Sequence, residues 1–454
     1  MSSPAAELAE RYRAAATAFV KEKRLPGAAV GVVHGDELAW SEGIGFADVE
    51  SKRAPDAATL YRIASITKTF TATAIMQLRD EGRLTLDEPA MTYLPELKKS
   101  TNPFGPIESL TIRRMLSHES GLQSEPPGAD WTRVVYEGDV KRNLERADEI
   151  ALALPPHTQW KYSNLAYQLL GEIVERVAGL PYADYLHARI LDPLGMASTG
   201  FDPLPDALSP RCAIGYDARF VSDDFELAPR DTTISLAEGG LWSCVGDLAR
   251  WISCQLGSTS VLNDATLEEM HRARYLADEA WTRAWGIGWY SVRREDVIWV
   301  QHSGALYGFI TNACFDPKEK VGAIVLLNGI GEATQLALKI AAMARDAVRD
   351  APSLELSKPM PEEWRSLLGL YLVPHFGSVA RLEWRDGKLA FFDSVDPEWK
   401  PTLAPTETPD VFVVEAGSRE SGELVRFNRD ADGRVVSVFA AAATLPRLEP
   451  VADV

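Results

Sequence analysis

The stretch Arg62–Leu78, "RIASITKTFTATAIMQL", decides the reading of this chain. Between Lys68 and Arg79 it holds no charged residue, and small or apolar side chains fill nearly every position. A helix without a polar face is a buried helix. This one carries a lysine near its start, three residues after a serine. Residues three apart on a helix share a face, so Ser65 and Lys68 are expected side by side, away from water.

That pairing has a chemical meaning. A serine hydroxyl needs a base to become a nucleophile. A lysine removed from water can have its pKa lowered by several units, so its neutral amine can act as that base near neutral pH. Free N–H groups at a helix start favour developing negative charge. The plainer reading is coincidence, because S-x-x-K arises by chance about once or twice in a chain of ordinary composition.

Bulk properties narrow the field. A length of 454 residues sets a prior of two or three domains. Hydrophobic residues make up 46% and charged residues 25%, enough for globular domains with ample cores. A formal net charge of −18 argues against nucleic acid and against an anionic membrane surface. No run approaches the ~20 apolar residues of a membrane span. The first residues, "MSSPAAELAERYRAAATAFVKEKRLPG", read as an amphipathic helix of mixed charge, not a signal peptide, so the expected location is cytoplasmic. Cys212, Cys244, Cys254 and Cys314 are scattered and read as reduced thiols. The histidines show no H-x-x-x-H spacing, so neither a metal nor a cofactor is expected.

Along the chain, "AAVGVVHGDELAWSEGIG" reads as two strands around a His34-Gly35-Asp36 turn. Residues from about 84 to 200 show helical patterns between Pro-rich loops. Within them "SNLAYQLLGEIVERVAG" places Leu165, Leu169, Ile173 and Val177 at helical spacing and ends on Gly179 as a C-cap. "AWGIGWYSV", "VIWVQHSG", "FITNACFDP" and "VGAIVLLN" read as strands, followed by a helix, "ATQLALKIAAMARDAVRD". Strands at both ends and helices between predict an α/β domain over 1–350, its terminal strands sharing one sheet beside a helical lobe. Residues 351–363, "APSLELSKPMPEE", read as a linker. From 364 to 454, strand signals around Asp386-Gly387 and Asp432-Gly433 turns predict a small antiparallel β domain, a barrel or a sandwich.

Two further elements accompany Ser65 and Lys68. "WKYSNLAYQLLG" places Tyr162-Ser163-Asn164 just ahead of a helix, and "VQHSGALYGF" places His302-Ser303-Gly304 at the end of a strand-like run. S-x-x-K, Y-x-N and a basic residue followed by Ser-Gly, in that order, resemble the three-part signature of penicillin-recognising serine enzymes. The second element points to the class C β-lactamase branch, peptidase family S12, with its D,D-peptidases, D-aminopeptidases and esterases. "LTIRRMLSHESGL", "PLGM" and "AEGGLWSCVGDLARW" extend the resemblance, which runs roughly from Arg24 to Arg349. The C-terminal part is similar to the lipocalin-like barrel of some family members.

The resemblance implies an antiparallel sheet flanked by helices, and an acyl-enzyme formed on Ser65. It implies that Lys68 and Tyr162 share proton transfer, with the identity of the base left open. Asn164 is expected to hydrogen-bond a substrate amide or support Lys68. The backbone N–H groups of Ser65 and Ala305 are expected to form the oxyanion hole, and Gly304 to let the strand approach the substrate. His302 stands where a lysine is usual in β-lactamases. At an ordinary pKa of ~6.5 it is only partly charged at neutral pH. Weak carboxylate anchoring, and β-lactam turnover that rises toward pH 6, are therefore expected. His118 reads as a helix or turn cap; Trp281, Trp285 and Trp289 as packing or a substrate wall; Asp223-Asp224 as a solvated face.

The expected activity is hydrolysis of a small ester or amide, including a D-residue peptide, with water as acceptor. A penicillin-binding sensor with little turnover and a true β-lactamase are the alternatives.

Overall fold

Gly27–His34, "GAAVGVVH", is buried at every position but its last, the signature of a strand covered on both faces. Ala29 and Val33 face one core, while Ala28, Val30 and Val32 face another. The computed structural model describes residues 4–129, 139–217, 227–228, 234–258, 261–294, 296–350, 360–373, 378–385, 387–393, 400–415, 420–440 and 443–448. Asp223-Asp224, Asp386 and residues 351–359 of the expected linker lie outside these. Contacts divide the chain into two units, Met1–Asp350 and Ala351–Val454.

In the first unit the strands are β1 (Gly27–His34), β2 (Glu37–Gly45), β3 (Tyr61–Arg62), β4 (Trp242–Ser243), β5 (Tyr275–Leu276), β6 (Arg283–Trp285), β7 (Tyr290–Arg294), β8 (Val297–Leu306), β9 (Phe309–Asp316) and β10 (Val321–Leu327). The helices that frame the sheet and the site are α1 (Pro4–Glu22), α2 (Thr67–Asp80), α3 (Asn164–Ala178), α4 (Val245–Gln255) and α5 (Ala333–Asp350). Eight strands form one antiparallel sheet in the order β2-β1-β10-β9-β8-β7-β6-β5. The expected union of early and late strands is present: Ala28 pairs with Leu327 and His34 with Val321.

One sheet face is covered by α1 and α5. On α5, Leu336, Ala337, Ile340, Ala341 and Ala344 recur at helical spacing and are buried with Val30, Val325 and Tyr12. The other face packs on the helical lobe, whose core holds Ile66, Phe70, Ile75, Leu165, Leu169 and Ile173. The helical patterns expected between 84 and 200 resolve mostly into short turns, such as Ala90–Thr92 and Pro95–Lys99, with α3 as the long exception. Gly179 ends α3 at φ +71°, as a C-cap glycine does.

The reading of "AWGIGWYSV" as one strand is corrected. β6 stops at Trp285 and β7 begins at Tyr290, and the two pair as a hairpin. Gly288 between them has φ +74°, and a Cβ there would meet the Ala72 Cβ at 2.4 Å. The break lets this turn close over α2.

The second unit forms a closed barrel of eight antiparallel strands, from Gly369–Val373 to Ala443–Leu448. Closure removes the exposed edges that a sandwich would leave. Tyr371, Leu382, Phe391, Phe412 and Phe427 fill its core.

Candidate active site

The helix expected over the whole opening stretch begins later. Tyr61–Arg62 is strand β3, paired with Trp242 and Ser243 of β4. Ala64–Ile66 is a 3-10 turn, and α2 starts at Thr67. Ala64 sits at φ +46°, a left-handed conformation that costs an L-residue roughly 1–2 kcal/mol. The turn separates the two side chains by environment: Ser65 is partly exposed, whereas Lys68 is fully buried.

Lys68 Nζ donates to Ser65 Oγ at 3.2 Å and to the Glu238 carbonyl at 2.7 Å. It also lies over the rings of Tyr162 and Tyr167, 5.1 and 5.6 Å from their centroids. Burial lowers its pKa to about 8, against the opposing pull of the Glu238 and Glu125 charges. A lysine with that pKa is partly neutral at physiological pH.

Tyr162 stands immediately before α3. Ser163 caps the helix, its Oγ accepting from the Ala166 N–H at 3.0 Å and donating to the Gln123 carbonyl at 2.7 Å. The Tyr162 hydroxyl shares a hydrogen bond with Ser65. Burial nonetheless pushes the phenol well above its ordinary pKa of 10, and the Glu238 charge pushes the same way. Of the two groups at the Ser65 oxygen, the amine is therefore the one that loses its proton first.

Asn164 does not hold Lys68. Its Nδ2 donates to Glu125 Oε1 at 2.8 Å and its N–H to the Ser124 carbonyl at 2.7 Å. Because Glu125 bears electrostatically on both Lys68 and Tyr162, Asn164 reaches the site through that carboxylate.

His302 lies within β8, buried edge-on to Trp285 and Tyr290, each 5.6 Å away between centroids. Its Nδ1 is 2.7 Å from the Ser303 carbonyl. Burial, reinforced by the Lys68 charge, pulls its pKa down to about 3. The expectation of a partly charged histidine is corrected: His302 is neutral across the physiological range, because desolvation outweighs what its neighbouring carbonyl returns.

Gly304 is also required by a close approach within the protein. A Cβ there would meet the Ile63 carbonyl oxygen at 2.1 Å and Thr311 Oγ1 at 2.4 Å. The close approach is between β8, on which Ala305 is exposed, and the turn that carries Ser65.

The three tryptophans do not form a wall. Trp281 is exposed, Trp289 packs on Phe315 in the core, and Trp285 joins Tyr162, Trp160, Tyr290 and His118 in an aromatic cluster. His118 follows the short helix Ile112–Leu116 and is fully buried beside Tyr162. The sequence reading gave Glu125 and Glu238 no role. A glutamate inside the small, apolar "ISLAEGGLW" was the available signal for Glu238. None of the four cysteines is in a disulfide, and burial raises Cys244 and Cys254 to about 11 and Cys314 to about 12, so these thiols are poor nucleophiles. Among the described residues, no group of three or more His, Cys, Asp or Glu is placed to hold a metal ion, and no helix is long and apolar enough to cross a membrane.

Residues 12–347 match the family described as Beta-lactamase. Protein flp of Staphylococcus aureus is 28% identical over 324 residues, 68% of this chain and 61% of that protein. Esterase EstB of Burkholderia gladioli is 36% identical over 210 residues, 44% of this chain and 53% of EstB. The chain thus spans less than two thirds of the length of these relatives. Among solved structures, the octameric penicillin-binding protein homologue from Pyrococcus abyssi superposes with a TM-score of 0.63 at 22% identity, covering 96% of this chain and 99% of that one. A beta-lactamase/D-alanine carboxypeptidase from Yersinia pestis gives 0.64 at 23% identity, covering 76% of this chain and all of its own (100%). At these identities the superpositions establish the fold.

Proposed function

This chain belongs to the beta-lactamase family, and on that premise we propose that it is a serine hydrolase that works through an acyl-enzyme on Ser65. One observation carries the reading: a fully buried Lys68, its pKa lowered to about 8, donates to Ser65 Oγ at 3.2 Å. In its neutral form Lys68 takes the Ser65 proton as Oγ bonds to the substrate carbonyl carbon. The carbonyl oxygen becomes an oxyanion between the N–H groups of Ser65 and Ala305. Tyr162, still protonated, gives its proton to the leaving alcohol or amine and regains one from the Lys68 ammonium. Water then attacks the acyl-enzyme by the same steps in reverse, and Ser65 recovers its proton.

The substrate is a small ester or an amide, with a D-residue peptide as the leading amide. The description of the Burkholderia relative as an esterase supports the ester. A neutral His302 supports a substrate without an obligatory carboxylate. The unpaired thiols support a reducing compartment, and a cytoplasmic location is part of this reading.

A hydrolysis screen tests it: short acyl esters, D- and L-aminoacyl amides and a chromogenic cephalosporin, each with wild type and Ser65→Ala. Ser65→Ala should keep the fold and lose turnover by many powers of ten. Retention of more than a few per cent of activity in clean protein would overturn Ser65 as nucleophile.

A further inference from the structure

His118 meets the catalytic segment in three ways. Its carbonyl accepts from the Lys161 N–H at 2.8 Å, its Nδ1 accepts from the Ser163 N–H at 3.2 Å, and its ring lies 4.2 Å from that of Tyr162 at an interplanar angle of 31°. The residues on either side of Tyr162 are thus both tied to His118, while the tyrosine ring lies tilted against it. On its far sides the imidazole is packed by Tyr167, 5.2 Å away, and by the edge of Trp285 at 4.7 Å.

We propose that His118 is a positioning residue that fixes the Tyr162 hydroxyl at Ser65 by clamping the main chain on both sides of the tyrosine. The inference rests on the proposed role of Tyr162 in proton transfer.

The local chemistry separates this role from simple turn formation. His118 has φ +57°, a left-handed conformation that glycine or asparagine adopts more readily. It is also fully buried, and its Nε2 has no hydrogen-bond partner, a cost that phenylalanine would avoid. A turn alone is better served by asparagine, and a core position alone by phenylalanine. Only an imidazole supplies both a ring for Tyr162 and an acceptor for Ser163. Because Nδ1 accepts, it carries no proton, so the ring is the neutral Nε2–H tautomer. The same clamp keeps Ser163 in place as the N-cap of α3, so the tyrosine is held between a fixed helix end and a fixed turn.

The test is a double-mutant cycle on the intact chain, read by single-turnover acylation and steady-state hydrolysis of a neutral short-chain ester. His118→Phe keeps a ring and removes the acceptor. His118→Asn keeps an acceptor at the Nδ1 position and tolerates the backbone angle. A misplacement of about 1 Å can cost about 100-fold in rate, so His118→Phe should lower kcat by about 10- to 100-fold with KM nearly unchanged. His118→Asn should recover most of that loss. In a Tyr162→Phe background, where no hydroxyl remains to be placed, His118→Phe should cost nothing further. An equal loss in both backgrounds, or an active His118→Phe beside a crippled Tyr162→Phe, overturns the inference about His118 alone. Full activity in Tyr162→Phe overturns the role of Tyr162 and takes this inference with it. The ¹⁵N shifts of the wild-type His118 ring decide the matter even if a variant fails to fold. The clamp requires the Nε2–H tautomer from pH 6 to 9, and an imidazolium or Nδ1–H form is incompatible with it.

Discussion

If Lys68 is the base, acylation by a substrate with no ionisable group should follow the deprotonation of one buried amine. Burial depresses the lysine from its ordinary 10.5 to about 8, and the neutral form is the reactive one, so activity rises with pH. At a pKa of about 8 the neutral fraction is about 1% at pH 6, about 9% at pH 7, about half at pH 8 and about 90% at pH 9. The single-turnover rate should therefore climb about tenfold from pH 6 to 7, about tenfold more from 7 to 9, and then level off. Tyr162 as base gives another curve. Its pKa is pushed above 10 by burial, so the phenolate fraction would still rise in proportion to hydroxide at pH 10. Stopped-flow measurement of the acylation burst from pH 6 to 10 separates the two. A plateau above pH 9 supports Lys68. A log-linear rise through pH 10 transfers the role to Tyr162, and a flat profile from 6 to 9 refutes both. Glu238→Gln adds an internal check: the Glu238 charge holds the Lys68 pKa up, so its removal should move the midpoint below 8.

Other outcomes follow from the same geometry. Below about pH 8 the fold carries a buried ammonium, and the gap between about 8 and 10.5 corresponds to about 3 kcal/mol. Lys68→Met should therefore be inactive yet more stable to denaturant by up to about 3 kcal/mol near pH 6. That gain should shrink between pH 8 and 10.5, as the wild-type amine deprotonates in the unfolded state as well; a loss of stability at pH 6 contradicts it. Lys68→Ala and Tyr162→Phe should each cost at least ~100-fold in kcat. Their losses should not add, and additive losses in the double mutant would refute a shared proton path. With the His302 pKa at about 3, the ratio of cephalosporin to neutral-ester turnover should stay constant from pH 5.5 to 8.5. His302→Lys should raise that ratio about tenfold through a charge-assisted hydrogen bond, and an unchanged ratio rules out His302 as the limit on carboxylate binding. Gly304→Ala, whose Cβ would meet the Ile63 carbonyl at 2.1 Å, should cost about 1–3 kcal/mol in stability and most of the activity, with thermal unfolding and ester hydrolysis as the measures.

What was legible in the sequence was whatever depends on period and spacing. The apolar run after Lys68 gave the buried helix. Gly179 gave the end of α3, and the shared sheet of early and late strands followed from their alternation with helices. The charge state of His302 was not legible, because it depends on burial between Trp285, Tyr290 and Lys68, which come together only in the fold. The same holds for Gly304, whose neighbour Ile63 is far away in sequence. Asn164 was expected to serve a substrate amide or Lys68, and its partner Glu125 sits in a loop with no periodic signal. Of the two readings of the tryptophans, packing holds for Trp285 and Trp289 but not for exposed Trp281, because a hairpin with Gly288 at its turn sends the three side chains to three environments.

The pairing of β1 with β10 also bears on the order in which the protein matures. β1 leaves the ribosome long before its partner from Val321 to Leu327, yet both its faces are apolar. Until that partner emerges β1 can pair only with β2, and its other edge is open, the kind of surface that draws chaperones and misassociation. Such long-range closure makes folding slow compared with that of a helical bundle. Ser65 and Lys68 exist early on the nascent chain, but the turn that presents them is braced by Gly304 and Thr311, which arrive much later. If Ser65 is the nucleophile, acylating power is a property of the finished domain, and an incomplete chain carries the serine without the means to use it.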